Sequence, residues 1–298
     1  VRNFRQATVQ YFLGKVPLIA LCWGTGGLSV DNYSGWLAQM RLDGKTALVC
    51  GASSGIGQAT AHALAEQGAR VIALARREDL LKSMILRLPG SGHRALVVDL
   101  SDLTSVRAKI KSELEAVGGT IHILICNSSG PKGGAIVNAS EEDFLKSFSQ
   151  HVLANQILVQ ELLPGMRRAS FGRIVTIIST SVKVPIQNLG VSNTVRAAVA
   201  SWAKTLSLEV AADGITVNSV LPGFTDTDRL SELARAGAET QGVSEEQVRT
   251  TWAQATPMKR IGKPSEIAHA VGFFASPAAS FITGTALAVD GGRTGTLS

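Results

Sequence analysis

The chain has 298 residues, 45% of them apolar and 5% aromatic, with 30 glycines against 9 prolines, a formal net charge of +6 and a pI near 9.4. That length and apolar content support one large α/β domain or two small ones. The basic balance does not gather into a Lys/Arg stripe, so a nucleic-acid partner is not expected, and the charge fits phosphate-bearing cofactors or no special partner equally well.

The first 39 residues differ from the rest. Arg2, Arg5 and Lys15 precede a short apolar run, 16–23, which is too short to span a bilayer. At Met40 the chain reads MRLDGKTALVCGASSGIG, which has the look of a domain start. Residues 1–39 are therefore expected to be a weakly packed extension or sequence upstream of the true start, and 40–298 a single domain. No membrane association is expected. Cys22, Cys50 and Cys126 have no C-x-x-C partner, and no His/Cys cluster has metal-ligand spacing. Sparse, unpaired cysteines fit a cytoplasmic protein without a metal.

From Thr46 onward, apolar strands alternate with amphipathic helices. Strands are predicted at 46–50, 70–75, 94–100, 121–127, 172–179, within 214–223 and at 285–292. Helices are predicted at about 56–67, 78–88, 104–117, 141–167 and 194–212. Continuous Val/Ile/Leu runs joined by helices imply a parallel sheet covered on both faces. The fold class is therefore a Rossmann-like, doubly wound α/β sheet of seven strands, with helices on both faces. Residues 224–257 are polar and helical in pattern and read as a substrate lid, with Leu230, Leu233 and Trp252 as apolar walls.

The turn CGASSGIG sits between the first strand and the first helix. Gly51, Gly55 and Gly57 let the backbone turn tightly and let a pyrophosphate reach the helix N-terminus. Ser53, Ser54 and Ile56 complete this phosphate-binding turn. A strand on one side and a helix on the other make dinucleotide binding a specific reading. An acid at the end of the second strand would grip an adenosine ribose 2′-OH. This sequence has Arg76 and Arg77 there, and a guanidinium matches a 2′-phosphate bidentately. The cofactor is therefore read as NADP(H).

With these motifs in view, residues 40–298 resemble a short-chain dehydrogenase/reductase, of the kind typified by 3-oxoacyl-carrier-protein reductases. The glycine turn is similar to the family's T-G-x-x-x-G-x-G, with Cys50 in place of Thr. The resemblance implies adenine contacts from Asp99 and Leu100. Asn127, Ser128 and Ser129 lie where N-A-G follows an Asn in the family. Asn218 with Pro222 and Gly223 resembles N-x-x-x-P-G, and Thr225 and Thr227 stand where residues reach the carboxamide and phosphates. The family often forms homotetramers or dimers through the helices at 141–167 and 194–212.

The resemblance fails at the reaction centre. Ser179 stands where the family serine would hydrogen-bond a substrate carbonyl. Thirteen residues on, the expected tyrosine is Ser192, and four further the expected lysine is Arg196. His151 occupies the place of a usual Asn. Realignment cannot repair the gap, because the only tyrosines are Tyr11 and Tyr33.

A phenol of ordinary pKa about 10 can be tuned to protonate an alkoxide. A serine hydroxyl is a much weaker acid, although it can hydrogen-bond a developing oxyanion. Arg196 can hold the nicotinamide ribose and stabilise charge but does not release protons at neutral pH. The candidates for the proton path are His151, Lys183 and water. Cys50 and Cys126 end strands that should be neighbours, so their thiols are expected to lie close without a disulfide.

The function expected is NADP(H)-dependent reduction of a small ketone, or oxidation of a secondary alcohol, at an unusual site. A catalytically silent NADP sensor or scaffold, and a lyase or isomerase on the same fold, are the alternatives.

Overall fold

The computed structural model describes residue 35 and residues 37–296. The chain divides into two units, residues 1–38 and 39–298. The first lies almost wholly outside the described residues, as do the expectation of weak packing there and Cys22.

Seven parallel strands form one sheet in the order β3-β2-β1-β4-β5-β6-β7. They are β1 (Thr46–Cys50), β2 (Arg70–Ala75), β3 (Arg94–Val97), β4 (Ile123–Cys126), β5 (Gly172–Ile177), β6 (Ile215–Pro222) and β7 (Ala286–Val289). The helices are α1 (Gly55–Glu66), α2 (Glu78–Ile85), α3 (Leu103–Ala116), α4 (Glu141–Phe148), α5 (Ala154–Arg168), α6 (Gly190–Val210), α7 (Asp228–Gln241), α8 (Glu245–Ala255) and α9 (Pro264–Ala275).

Successive strand residues point to opposite faces, and both faces are dry. Val49, Val71, Ile125 and Val175 pack with Leu64 of α1, Leu81 of α2 and Val271 and Phe274 of α9. Leu48, Ile72, Leu124 and Ile174 pack on the other face with Ile110 of α3, Leu158 and Leu162 of α5 and Leu206 of α6. This double burial explains why the strands read as unbroken apolar runs.

Several expected boundaries move, two of them for a visible reason. The third strand stops at Val97, because β2 ends at Ala75 and the last pair in the register is Ala75 with Val97. The long helix predicted at 141–167 is broken by a π-helical turn, Ser149–Leu153, between α4 and α5. Such turns insert a residue into the helical ladder and often mark functional positions.

The strand order reverses direction between β1 and β4. The loops leaving β1 and β4 therefore diverge to opposite sides and open a crevice at the carboxyl ends of the strands.

Candidate active site

One cleft runs along those carboxyl ends. Its wall is built from the residue after β1 (Gly51), after β2 (Arg76, Arg77), after β3 (Asp99, Leu100), after β4 (Asn127, Ser128, Ser129), after β5 (Ser179) and at the end of β6 (Pro222, Gly223). Ser53, Ser54, Gly55 and Ile56 line it from the glycine turn, Ser192 and Arg196 from α6, and Thr227 from the start of α7.

The phosphate end is a backbone cradle. Gly51 and Gly55 have φ of +63° and +54°, which favours glycine at both. Gly57 does not line the cleft; it supports it. A Cβ on Gly57 would stand 2.1 Å from the Gly51 carbonyl oxygen, so only a hydrogen fits. Ser54 precedes α1 in extended conformation, and its hydroxyl makes no capping bond. The first turn of α1 also contains no acidic residue. The positive end of the helix dipole is left uncompensated there, as an anion-binding terminus requires. Arg77 donates to Ser53 Oγ at 3.1 Å and to Ser54 Oγ at 2.9 Å, which fixes its guanidinium over the same turn. Arg76 lies 3.9 Å from Asp99. The residues present therefore fit a dinucleotide carrying an extra phosphate.

Below the cradle, Asn127 Nδ2 donates to the Cys50 carbonyl at 3.2 Å and ties the two loops together. Cys50 and Cys126 end neighbouring strands, face the same side of the sheet and are both buried free thiols. Burial pushes the Cys50 thiol up to about 12 and the Cys126 thiol well above its ordinary value, so neither is a nucleophile at neutral pH.

The other end of the cleft holds Ser179, Ser192 and Arg196. Ser179 Oγ accepts a hydrogen bond from the Ser181 backbone N–H at 3.0 Å. That leaves its own O–H as a donor. Arg196 Nη1 donates to the Ile177 carbonyl at 3.1 Å. Burial first, and then the neighbouring Arg229 guanidinium, pull the Arg196 pKa down to about 10. It remains a cation at neutral pH.

Besides Gly57, three expected site residues sit elsewhere. Thr225 is buried and donates to the Gly223 carbonyl at 3.1 Å, shaping the Pro222–Gly223 turn rather than facing the cleft. Lys183 closes the short 3₁₀ turn after Ser179 and is not among the cleft-lining residues. His151 is 4% exposed and stands behind the wall, on the π-helical turn. Its Nδ1 is 2.7 Å from Ser128 Oγ, and Ser128 does line the cleft. Burial first, and then the Arg196 charge, drive the imidazole pKa down to about 3. His151 is therefore neutral and cannot carry a proton as a cation near pH 7.

The expected lid walls also divide. Leu233 lines the cleft. Leu230 is buried in the fold instead, and Trp252 stacks on Phe224 with ring centroids 5.0 Å apart. Their apolar bulk is used to dock the lid helices.

The sequence pattern gave no warning of Gln150, Leu189, Asp228 and Arg229, which line the same cleft.

The sequence model of a family described as Enoyl-(Acyl carrier protein) reductase matches residues 51–294. The chain is 36% identical over 255 residues to a 3-oxoacyl-[acyl-carrier-protein] reductase of Vibrio cholerae, covering 85% of this chain and 98% of the relative. It is 32% identical over 252 residues to an NADPH-dependent reductase of Bacillus subtilis, covering 83% and 97%. Among solved structures, L-sorbose reductase from Gluconobacter frateurii, complexed with NADPH and L-sorbose, superposes with a TM-score of 0.82 at 30% identity, over 87% of this chain and 100% of that one. The chain belongs to the short-chain dehydrogenase/reductase family.

Proposed function

We propose that this short-chain dehydrogenase/reductase exchanges a hydride between NADP(H) and a small ketone or secondary alcohol, at a reaction centre that contains no phenol. Its relatives include NADPH-dependent reductases, and the protein is an enzyme of that dehydrogenase/reductase type. The observation that carries the reading is one continuous cleft. It joins a dinucleotide cradle to two serine hydroxyls and a cation, Ser179, Ser192 and Arg196.

Gly51, Gly55, Ile56 and the start of α1 would hold the pyrophosphate, and Arg76 and Arg77 the 2′-phosphate. Asp99 and Leu100 would flank the adenine, while Asn127, Pro222, Gly223 and Thr227 flank the nicotinamide half. The bound cofactor supplies or accepts the hydride. Ser179 and Ser192 donate hydrogen bonds to the carbonyl oxygen as negative charge develops on it, and Arg196 holds the ribose. Such stabilisation reduces what the proton donor must supply. His151 is too weak a base to carry that proton; it anchors the Ser128 hydroxyl. Lys183 is not among the cleft-lining residues. Water entering the cleft protonates the alkoxide, and the hydroxide formed is neutralised by bulk solvent.

In this reading the site belongs to a divergent branch of the family that has replaced Tyr and Lys by Ser192 and Arg196. The enzyme is cytosolic and forms a homodimer or homotetramer. Exposed Leu145, Phe148 and Leu208, on α4 and α6, supply apolar surface for that assembly. No helix among the described residues is long and apolar enough to cross a membrane.

The absence of any tyrosine after Tyr33 favours one rival, a silent NADP-binding protein. Incubation with NADPH and a panel of ketones separates the two. Consumption of NADPH, with NADH used less well, supports the reductase. Tight NADPH binding with no consumption supports the silent protein.

A further inference from the structure

The substrate end of the cleft is unusually cationic. Arg196 enters it from α6 and Arg229 from the first turn of α7. Both converge on Gly130. A Cβ built there would stand 3.6 Å from Arg196 Nη2 and 3.7 Å from Arg229 Nε. Two guanidinium groups thus approach one small space beside Gly130.

Neither group is neutralised inside the cleft. Among the described residues Arg196 has no carboxylate within ion-pair distance, and its one hydrogen bond goes to the Ile177 carbonyl. Arg229 donates through Nη2 to the Pro131 carbonyl, and its acid partner is the exposed Glu232, 3.2 Å from Nη1 on the outer side. Asp228 lines the cleft but pairs with neither arginine. The like charges repel, which is one reason the Arg196 pKa is depressed. A cation pair held this way is relieved by an anion placed between its members.

The geometry points to a carboxylate on the substrate, bound between Arg196 and Arg229 beside Gly130, so that the natural substrate is an oxo acid or the matching hydroxy acid. This rests on the oxidoreductase reading given above. Arg229 already shares its charge with Glu232, so Arg196 is the guanidinium of this pair that lacks an acid among the described residues, and a singly charged group suffices to pair it. A guanidinium fork also suits two carboxylate oxygens. Leu189 and Leu233, on the cleft wall nearby, suit a short aliphatic chain between carboxylate and ketone.

The test uses the full chain with NADPH and three acids, pyruvate, acetoacetate and levulinate, each beside its methyl ester. Dihydroxyacetone phosphate serves as the phosphate-bearing ketone. At least one acid should exceed its ester in kcat/KM by 10-fold or more. Arg229→Leu should collapse that ratio towards one, and Arg229→Lys should restore part of it. NADPH binding, followed by fluorescence, reports that each variant is folded. Esters reduced as well as acids, or a preference for the phosphate, would overturn the carboxylate assignment while leaving the oxidoreductase reading intact. If nothing is turned over, binding of the same acids to the NADPH complex decides. Saturable binding that Arg229→Leu abolishes upholds the carboxylate site and defeats the redox reading. An acid that binds no better than its ester overturns the proposal.

Discussion

Arg77 is the side chain proposed here to set the choice of coenzyme. Its guanidinium is fixed by two serine hydroxyls of the phosphate turn. Hydrogen bonds to charged groups contribute about 1.5–3 kcal/mol, which corresponds to roughly 10- to 100-fold in affinity. Arg77→Gln should therefore weaken NADPH binding by about that factor and leave NADH nearly unaffected, as titration of coenzyme fluorescence would reveal. Equal weakening of both coenzymes would mean that Arg77 only braces the turn. The glycines, Arg76, Arg77, Ser179 and Ser192 were legible in the sequence because each belongs to a local pattern of fixed spacing. Arg229 was not, because its role depends on α7 meeting the loop after β4, a contact 98 residues apart along the chain. The pairing of His151 with Ser128 was hidden for the same reason. Lys183 misled because nearness to Ser179 in sequence does not turn a side chain towards the cleft.

The strands were legible because both of their faces are buried, so each reads as an unbroken apolar run. The helix predicted at 141–167 was less so. Its apolar period continues on both sides of the π-helical turn at Ser149–Leu153, and one inserted residue changes the ladder without changing the composition. That turn buries His151, which stays neutral down to about pH 3. In the unfolded chain the imidazole titrates near its ordinary value of about 6.5. Between those values the unfolded state binds more protons than the folded state. Stability should therefore fall as pH drops below about 6.5, by at most about 1.4 kcal/mol per pH unit from this group. Urea unfolding at pH 7 and pH 5 should show His151→Asn losing less stability than the native chain. An identical loss would place the acid sensitivity elsewhere.

Among the described residues the fold is one sheet with the cleft along the carboxyl ends of its strands, and that arrangement was readable from the order of strands and helices. Residues at the expected domain start are tied to it. Leu42 is 1% exposed in the core, and Gln67 Nε2 donates to the Met40 carbonyl at 3.0 Å. A chain beginning at Met40 should keep the native circular dichroism, melting temperature and NADPH affinity; loss of cooperative melting would give residues 1–39 a structural part. The central claim is that a cleft without a phenol still transfers hydride. It is tested most directly with NADPH deuterated at the transferable C4 position, using the ketones and oxo acids above and mass spectrometry of the products. The account predicts deuterium on the carbinol carbon of the alcohol formed, at a rate sharply reduced in Ser179→Ala. Tight NADPH binding with no labelled alcohol from any substrate would contradict it.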